Sequence, residues 1–387
     1  MRSQNRRAGF VLPAVLGTMV IIGILVTAGF FVARQEMRMG VATENAGMAF
    51  YVAERGASEV LDAWDNSVME AEDLFDVTTF TGTTDEGTWS VDVRRIGTQL
   101  YFLNSTGLIT QGGVVLGGAS HEIGMIARHL ELGIEPPAAV TTNGGISFNG
   151  APPQLQGDDA TPTGWGGVCT GPPQNKVGLL STDTTGTIDS PPGPPGTPYC
   201  GAYINGSPCV GEDVALVNET MEPFYDADYW DYLIDIADHE LSGSPTGPAP
   251  SFSGGACDTS DPDNWGGPSD DPSALCGSYF PMIYINTDVT ISGGGDGQGI
   301  LLVDGDLNWV GNGTYVGIVV VKGAFTSSGS PTITGALIAE SIDIINGTPT
   351  IQYSSCGIEQ AITMNANVTR PRPLLRRGFI DLSLIGN

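Results

Sequence analysis

With 387 residues, the chain holds one large domain or two to three smaller ones. Its 55 Gly and 26 Pro follow no collagen period and favour turn-rich β structure over a helix bundle. A formal net charge of −28 argues against nucleic acid as a partner, because nothing offsets phosphate repulsion.

The chain opens MRSQNRRAGFVLPAVLGTMVIIGILVTAGFFVARQEM, uncharged from Ala8 to Ala33. A helix rising about 1.5 Å per residue crosses a ~30 Å hydrocarbon core over such a run, which is too long for the core of a signal peptide. Arg2, Arg6 and Arg7 hold its start in the cytoplasm, so the bulk of the chain lies beyond the membrane. The helical pattern continues: Val41, Met48, Val52, Val60 and Trp64 share a stripe, and Glu44, Glu54, Arg55 and Glu59 take the other face. One helix is predicted from Phe10 to near Asn66, about 85 Å long.

RRAGF, with Arg6, Arg7, Gly9 and Phe10, resembles a prepilin peptidase site. GFVLPAVL, AFYVAERGASEVL and WSVDVRRIGTQLYFLNSTG resemble, in order, the helix and following β-hairpin of PilX-like type IV minor pilins. The resemblance covers residues ~1–135. It implies cleavage between Gly9 and Phe10, N-methylation of Phe10, and a small pilin-like α/β module. It also implies partners: prepilin peptidase, and other minor and major pilins through the helix. Most pilins carry Glu at the fifth mature residue, where it pairs with a neighbour's terminal ammonium in the filament core. Counting from Phe10, that position here is Ala14. An unpaired charge in such a core costs several kcal/mol, so a subunit lacking the carboxylate is suited to enter first, at the tip. Pro13 loses no intrahelical bond in the first turn.

Farther on, four blocks begin at Pro281, Gly299, Gly317 and Gly335, each 18 residues after the last. A second marker keeps the same step at Gly293, Gly311, Gly329 and Gly347. Each block carries an apolar run, an alternating run, a glycine turn and a third short strand. Units of this kind bury a core only by stacking, and the size is that of a parallel β-helix coil; the alternative is a β-sandwich, which would not require marker glycines in register. NGGISFNGAPPQLQGDD places Gly145 and Gly157 twelve apart, as Gly299 and Gly311 are, and is expected to be the first coil.

Residues 161–280 then read as an insertion, with PPGPPGTP as a rigid stretch. YDADYWDYLIDIADHEL is a helix candidate with Tyr229, Leu233, Ile234, Ala237 and Leu241 on one face and Asp226 or Asp228 as N-cap. Cys169, Cys200, Cys209, Cys257, Cys276 and Cys356 are an even set in an exported region, which suggests disulfides. Of the 15 pairings, Cys257 with Cys276 is favoured because the two bracket one loop. That loop holds Asp258, Asp261, Asp263, Asp270 and Asp271, oxygen ligands suited to calcium if they converge, and solvated loop acids if they do not. The wider acidity leaves the same choice. Between His129 and Thr369 the only lysines or arginines are Lys176 and Lys322.

RPRPLLRRGFIDL near the end is either a frayed tail or a basic strap on an acidic surface. Enzyme chemistry is not expected. No GxSxG, HExxH or P-loop is present, His121, His129 and His239 are dispersed, and Lys322 aligns with Asp304 and Glu340 at what reads as an exposed turn.

The expected fold class is α+β. It comprises a leader at 1–9, a pilin helix at 10–68 with its membrane part at 10–33, and an α/β module at 69–138. A β-helix follows at 139–160 and 281–354 around the insertion, and a cap with basic tail closes the chain at 355–387. The function this implies is a structural minor pilin, located first in the inner membrane and then at an extracellular pilus tip, serving assembly and adhesion. The alternatives are a minor pseudopilin of a type II secretion system and a membrane-anchored β-helix adhesin outside any filament.

Overall fold

The computed structural model describes residues 11–69, 73–109, 119–129, 132, 134–144, 146–148, 153–182, 188–189, 200–201, 203–268, 274–344, 347–374 and 379–383. The architecture is mixed α/β, with a long apolar amino-terminal helix and a large parallel sheet. Two units are distinct: Met1–His129 with Arg370–Asn387, and Leu130–Thr369.

In the first unit, α1 spans Val11–Asp62, 52 residues or about 78 Å. A short α2 (Asn66–Met69) follows, then β1 (Val77–Thr83), β2 (Thr88–Arg95), β3 (Leu100–Ile109) and β4 (Ala119–Arg128), paired antiparallel in chain order. Only the second half of α1 is buried. Its seam is Asn45, Ala49, Val52, Ala53, Ala57, Val60 and Leu61, whereas Met48 of the expected stripe is exposed. Small residues carry the seam because the helix lies very close to β3. A Cβ on Gly107 would meet Ala49 O at 2.2 Å, and Ser105 Oγ donates to Ala53 O at 2.6 Å. A stripe drawn through large apolar residues misses such a contact.

In the second unit the strands are β5 (Ala138–Thr142), β6 (Ile146–Phe148), β7 (Gln154–Gln156), β8 (Val177–Ser181), β9 (Ile188–Asp189), β10 (Ile204–Asn205) and β11 (Val210–Glu212). Helices α3 (Val214–Tyr225) and α4 (Ala227–Ile236) come next, capped by the side chains of Asp213 and Asp226. Then follow β12 (His239–Leu241), a small hairpin of β13 (Phe252–Ser253) and β14 (Ala256–Cys257), and β15 (Met282–Ile285). The remaining strands are β16 (Val289–Ser292), β17 (Gly297–Val303), β18 (Leu307–Val310), β19 (Thr314–Ser327), β20 (Thr332–Ile344) and β21 (Thr350–Tyr353). Helices α5 (Ser355–Thr363) and α6 (Ala366–Thr369) end the unit.

The apolar runs pair in parallel at the 18-residue step: Ile285, Val303, Val321 and Ala339 are successive partners, all buried. The alternating runs form a second column, with Leu307 against Val289 and Phe325 against Leu307. The third strands form another, with Thr314, Thr332 and Thr350 in register. The step is not constant. After Val321 the register slips, so that Ala324 faces Ser341 and one residue is dropped at that corner.

The order of strands corrects two expectations. Val140 pairs with Leu337, Ile146 with Ile342 and Gln154 with Thr350, so residues 138–156 lie beyond the last repeat rather than before the first. Residues 161–280 are not a plain insertion. β8, β9 and β10 add one more layer on 138–156, β11 adds to β8, and β12 joins β15 at the opposite end. Gly157 therefore follows the third strand of its layer and is not the counterpart of Gly311; Gly145 lies outside the described residues. Helix α4 is also turned from the expected face: Trp230, Leu233 and Ile236 are its buried residues.

The described part of the tail is not frayed. Arg372–Pro373 (β22) and Phe379–Asp381 (β23) pair antiparallel with β4 in the first unit, and Arg370 meets Asp62 at 3.2 Å.

Candidate functional site: the apolar helix and the stacked corners

Every residue of α1 from Val15 to Gly40 is exposed, Phe30 at 77% and Met37 at 71% among them. This is one helix long and apolar enough to cross a membrane, compatible with a single-pass anchor. Pro13 and Ala14 are in its first turn, and no carboxylate precedes Glu36. Gly9 and Phe10, expected to flank the cleavage site, lie outside the described residues.

The marker glycines have a steric reason. Gly299, Gly317 and Gly335 sit at positive φ (104°, 132° and 148°), which disfavours any side chain. A Cβ on Gly317 would meet Gly299 O at 2.1 Å, and one on Gly335 would meet Gly317 O at 1.9 Å. Side-chain acceptors also bind the backbone one repeat on. Asp288 Oδ1 accepts from Asp306 N at 2.9 Å, Asp306 Oδ1 from Ala324 N at 2.7 Å, and Asp296 Oδ1 from Thr314 N at 3.0 Å. Part of the acidity is thus used to hold strand to strand.

The corner after the first column is a polar ladder. Lys322 Nζ lies 3.2 Å from Asp304 Oδ1 and 3.9 Å from the Trp230 ring centroid, so it is a half-buried cation rather than the expected exposed turn. Tyr284 donates to Asp304 at 3.3 Å, and Tyr225 donates to Glu340 at 2.8 Å, with Lys322 O also 3.1 Å from the same hydroxyl. Burial pushes the Tyr225 hydroxyl well up, reinforced by the bond to Glu340. Asn143 closes the ladder on Glu340 at 3.1 Å.

Comparison with family models, with curated proteins and with solved structures finds no match.

The calcium candidates do not converge among the described residues, where no group of three or more metal-capable side chains is assembled. Asp258 Oδ1 accepts from Ser260 N and Oγ, and Asp261 Oδ1 from Asp263 N; both close local turns. The Ser251 hydrogen bond holds the Asp261 carboxyl below its usual range. Asp270 and Asp271 lie outside the described residues. Cys257 is bonded to Cys276, and the other bridges are Cys169–Cys356 and Cys200–Cys209.

His121, Asp381 and Ser383 meet, but not as a nucleophile–base relay. Ser383 Oγ and Asp381 Oδ1 approach the same ring nitrogen, Nε2, at 3.2 and 3.1 Å, and Ser383 donates to Asp381 itself. A relay needs the imidazole between the two. His239 Nε2 lies 2.9 Å from the Tyr279 hydroxyl, and His129 is buried. Among the described residues, sequence reasoning missed α3 and α5 as helices; α3 did carry a signal, since Val217, Met221 and Phe224, its buried residues, fall at helical spacing.

Proposed function

We propose that the chain is a minor type IV pilin that enters the filament first. Its second unit would be a parallel β-helix displayed at the tip for assembly and adhesion. The observation that carries this is the division of α1. Its first half is apolar, free of carboxylates up to Glu36 and exposed from Val15, and its second half seats on an antiparallel sheet. A helix built that way needs a second apolar environment, first lipid and then the helices of neighbouring subunits. The β-helix reading rests on three parallel columns at an 18-residue step, broken by one residue after Val321, and on glycine corners that admit no side chain.

Mass spectrometry of the mature amino terminus tests the proposal. A chain beginning with N-methylated Phe10 is expected. An intact Met1 would mean a plain membrane anchor. Proteomics of sheared filaments tests the tip position: very few copies are expected, and an abundance equal to the major subunit would refute it.

A further inference from the structure

Within the second unit, helices α3 and α4 and the segment before β5 enclose a groove of about 400 Å³. Leu216, Phe224 and Tyr229 supply apolar and aromatic lining, Thr220 a hydroxyl, and Glu135 and Glu219 two exposed carboxylates. Among the described residues, no lysine or arginine lines it. Phe224 and Tyr229 belong to one aromatic cluster with Trp230, their centroids 6.3 and 6.4 Å from that of Phe224.

That cluster already holds one cation from within the chain. Lys322 lies over Trp230 with Asp304 beside it, an aromatic face and a carboxylate acting on one ammonium. The groove repeats those ingredients with the half-buried Tyr229 ring, backed by the buried Phe224, and with the exposed Glu135 and Glu219. A bare metal ion does not suit it, since calcium and magnesium take oxygen on most sides and the lining here is half apolar. An organic cation on an alkyl stem does suit it. The stem covers Leu216 and the rings, and the charged head reaches the carboxylates. A guanidinium fits better than an ammonium, being planar, more weakly hydrated and able to stack on a ring while forking to carboxylates.

We propose that this groove binds the alkyl-guanidinium side chain of a peptide-borne arginine. The inference stands apart from the filament assignment and holds whether or not the chain enters a pilus. A groove on a strongly acidic chain draws cations by its field, and the aromatic lining makes it selective among them.

Saturation-transfer NMR on the full chain in detergent micelles tests this. The probe is N-acetyl-arginine methylamide, and the control is N-acetyl-citrulline methylamide, which keeps the shape and removes the charge. Transfer to the arginine probe is expected to exceed that to citrulline by about fivefold at matched ionic strength. Glu135→Gln with Glu219→Gln should reduce it by a similar factor, while Glu359→Gln, in a different groove, should leave it unchanged. Equal transfer to the two probes, no transfer to either, or a double variant that behaves like the parent would overturn the proposal.

Discussion

Replacing Gly317 by alanine probes the stacking directly. The residue sits at φ 132°, outside the regions an alanine adopts easily, and holding it there costs about 1–3 kcal/mol. The added Cβ would lie 2.1 Å from Gly299 O and 3.1 Å from Ala361 Cβ, so it presses on the strand below and on α5 at once. Neither neighbour is a flexible side-chain end, and overpacking of this kind adds about 1–3 kcal/mol. The expected loss is therefore about 2–6 kcal/mol, or about 4–24 °C in melting temperature for a domain of this size. Gly294→Ala is the control, since nothing lies within 4 Å of its added Cβ; it should stay within about 0.5 kcal/mol of the parent. Thermal unfolding followed by tryptophan fluorescence reads both variants, because Trp165, Trp265 and Trp309 are buried in this unit. Equal melting of the two variants would refute the steric account of the columns.

Removing Cys169–Cys356, whose partners are 187 residues apart, should cost about 5 kcal/mol by loop closure, against about 2.5 kcal/mol for Cys200–Cys209, 9 apart; paired Cys→Ser variants in urea melts rank them. Lys322→Met keeps the stem over Trp230 and deletes the charge, so it should cost about 1 kcal/mol in the same assay. Asp381 is held below its usual carboxyl range by the Ser383 hydroxyl and then by His121, so its contribution is complete above about pH 4 and fades as pH falls through the lowered value. Hydrogen exchange at Leu382 N, which donates to Glu122 O, should lose protection in that acid range, and Asp381→Asn should remove the pH dependence.

What the sequence made legible was whatever repeats or whatever is forbidden. The glycine columns stood out because no other residue fits at Gly317 or Gly335, and the α1 boundary because no carboxylate interrupts its apolar half. Contacts that leave no period stayed hidden. Ala49, Ala53 and Ala57 form the helix seam, yet an alanine is only weakly apolar, so the sequence pattern points to the exposed Met48 instead. The place of residues 138–156 could not be read either, because Val140 and Leu337 pair through a backbone ladder that any side chains could make, without a shared glycine step. The 18-residue spacing of Lys322 from Asp304 and Glu340 suggests an exposed turn. The ring that covers it comes from α4, far away in sequence.

The meeting of early and late segments dictates when this unit can finish. Thr142 donates to Glu340 O across 198 residues, and the layers at 138–156 and 177–205 are made long before the repeat that completes them. Until residues 335–353 arrive from synthesis, the strand edge at Val140 has no mate and Cys169 must wait for Cys356. A chain interrupted anywhere before that point loses more than its last strands. The layer at 138–156 is left as an open edge with a free thiol at Cys169, a state suited to pairing with other chains.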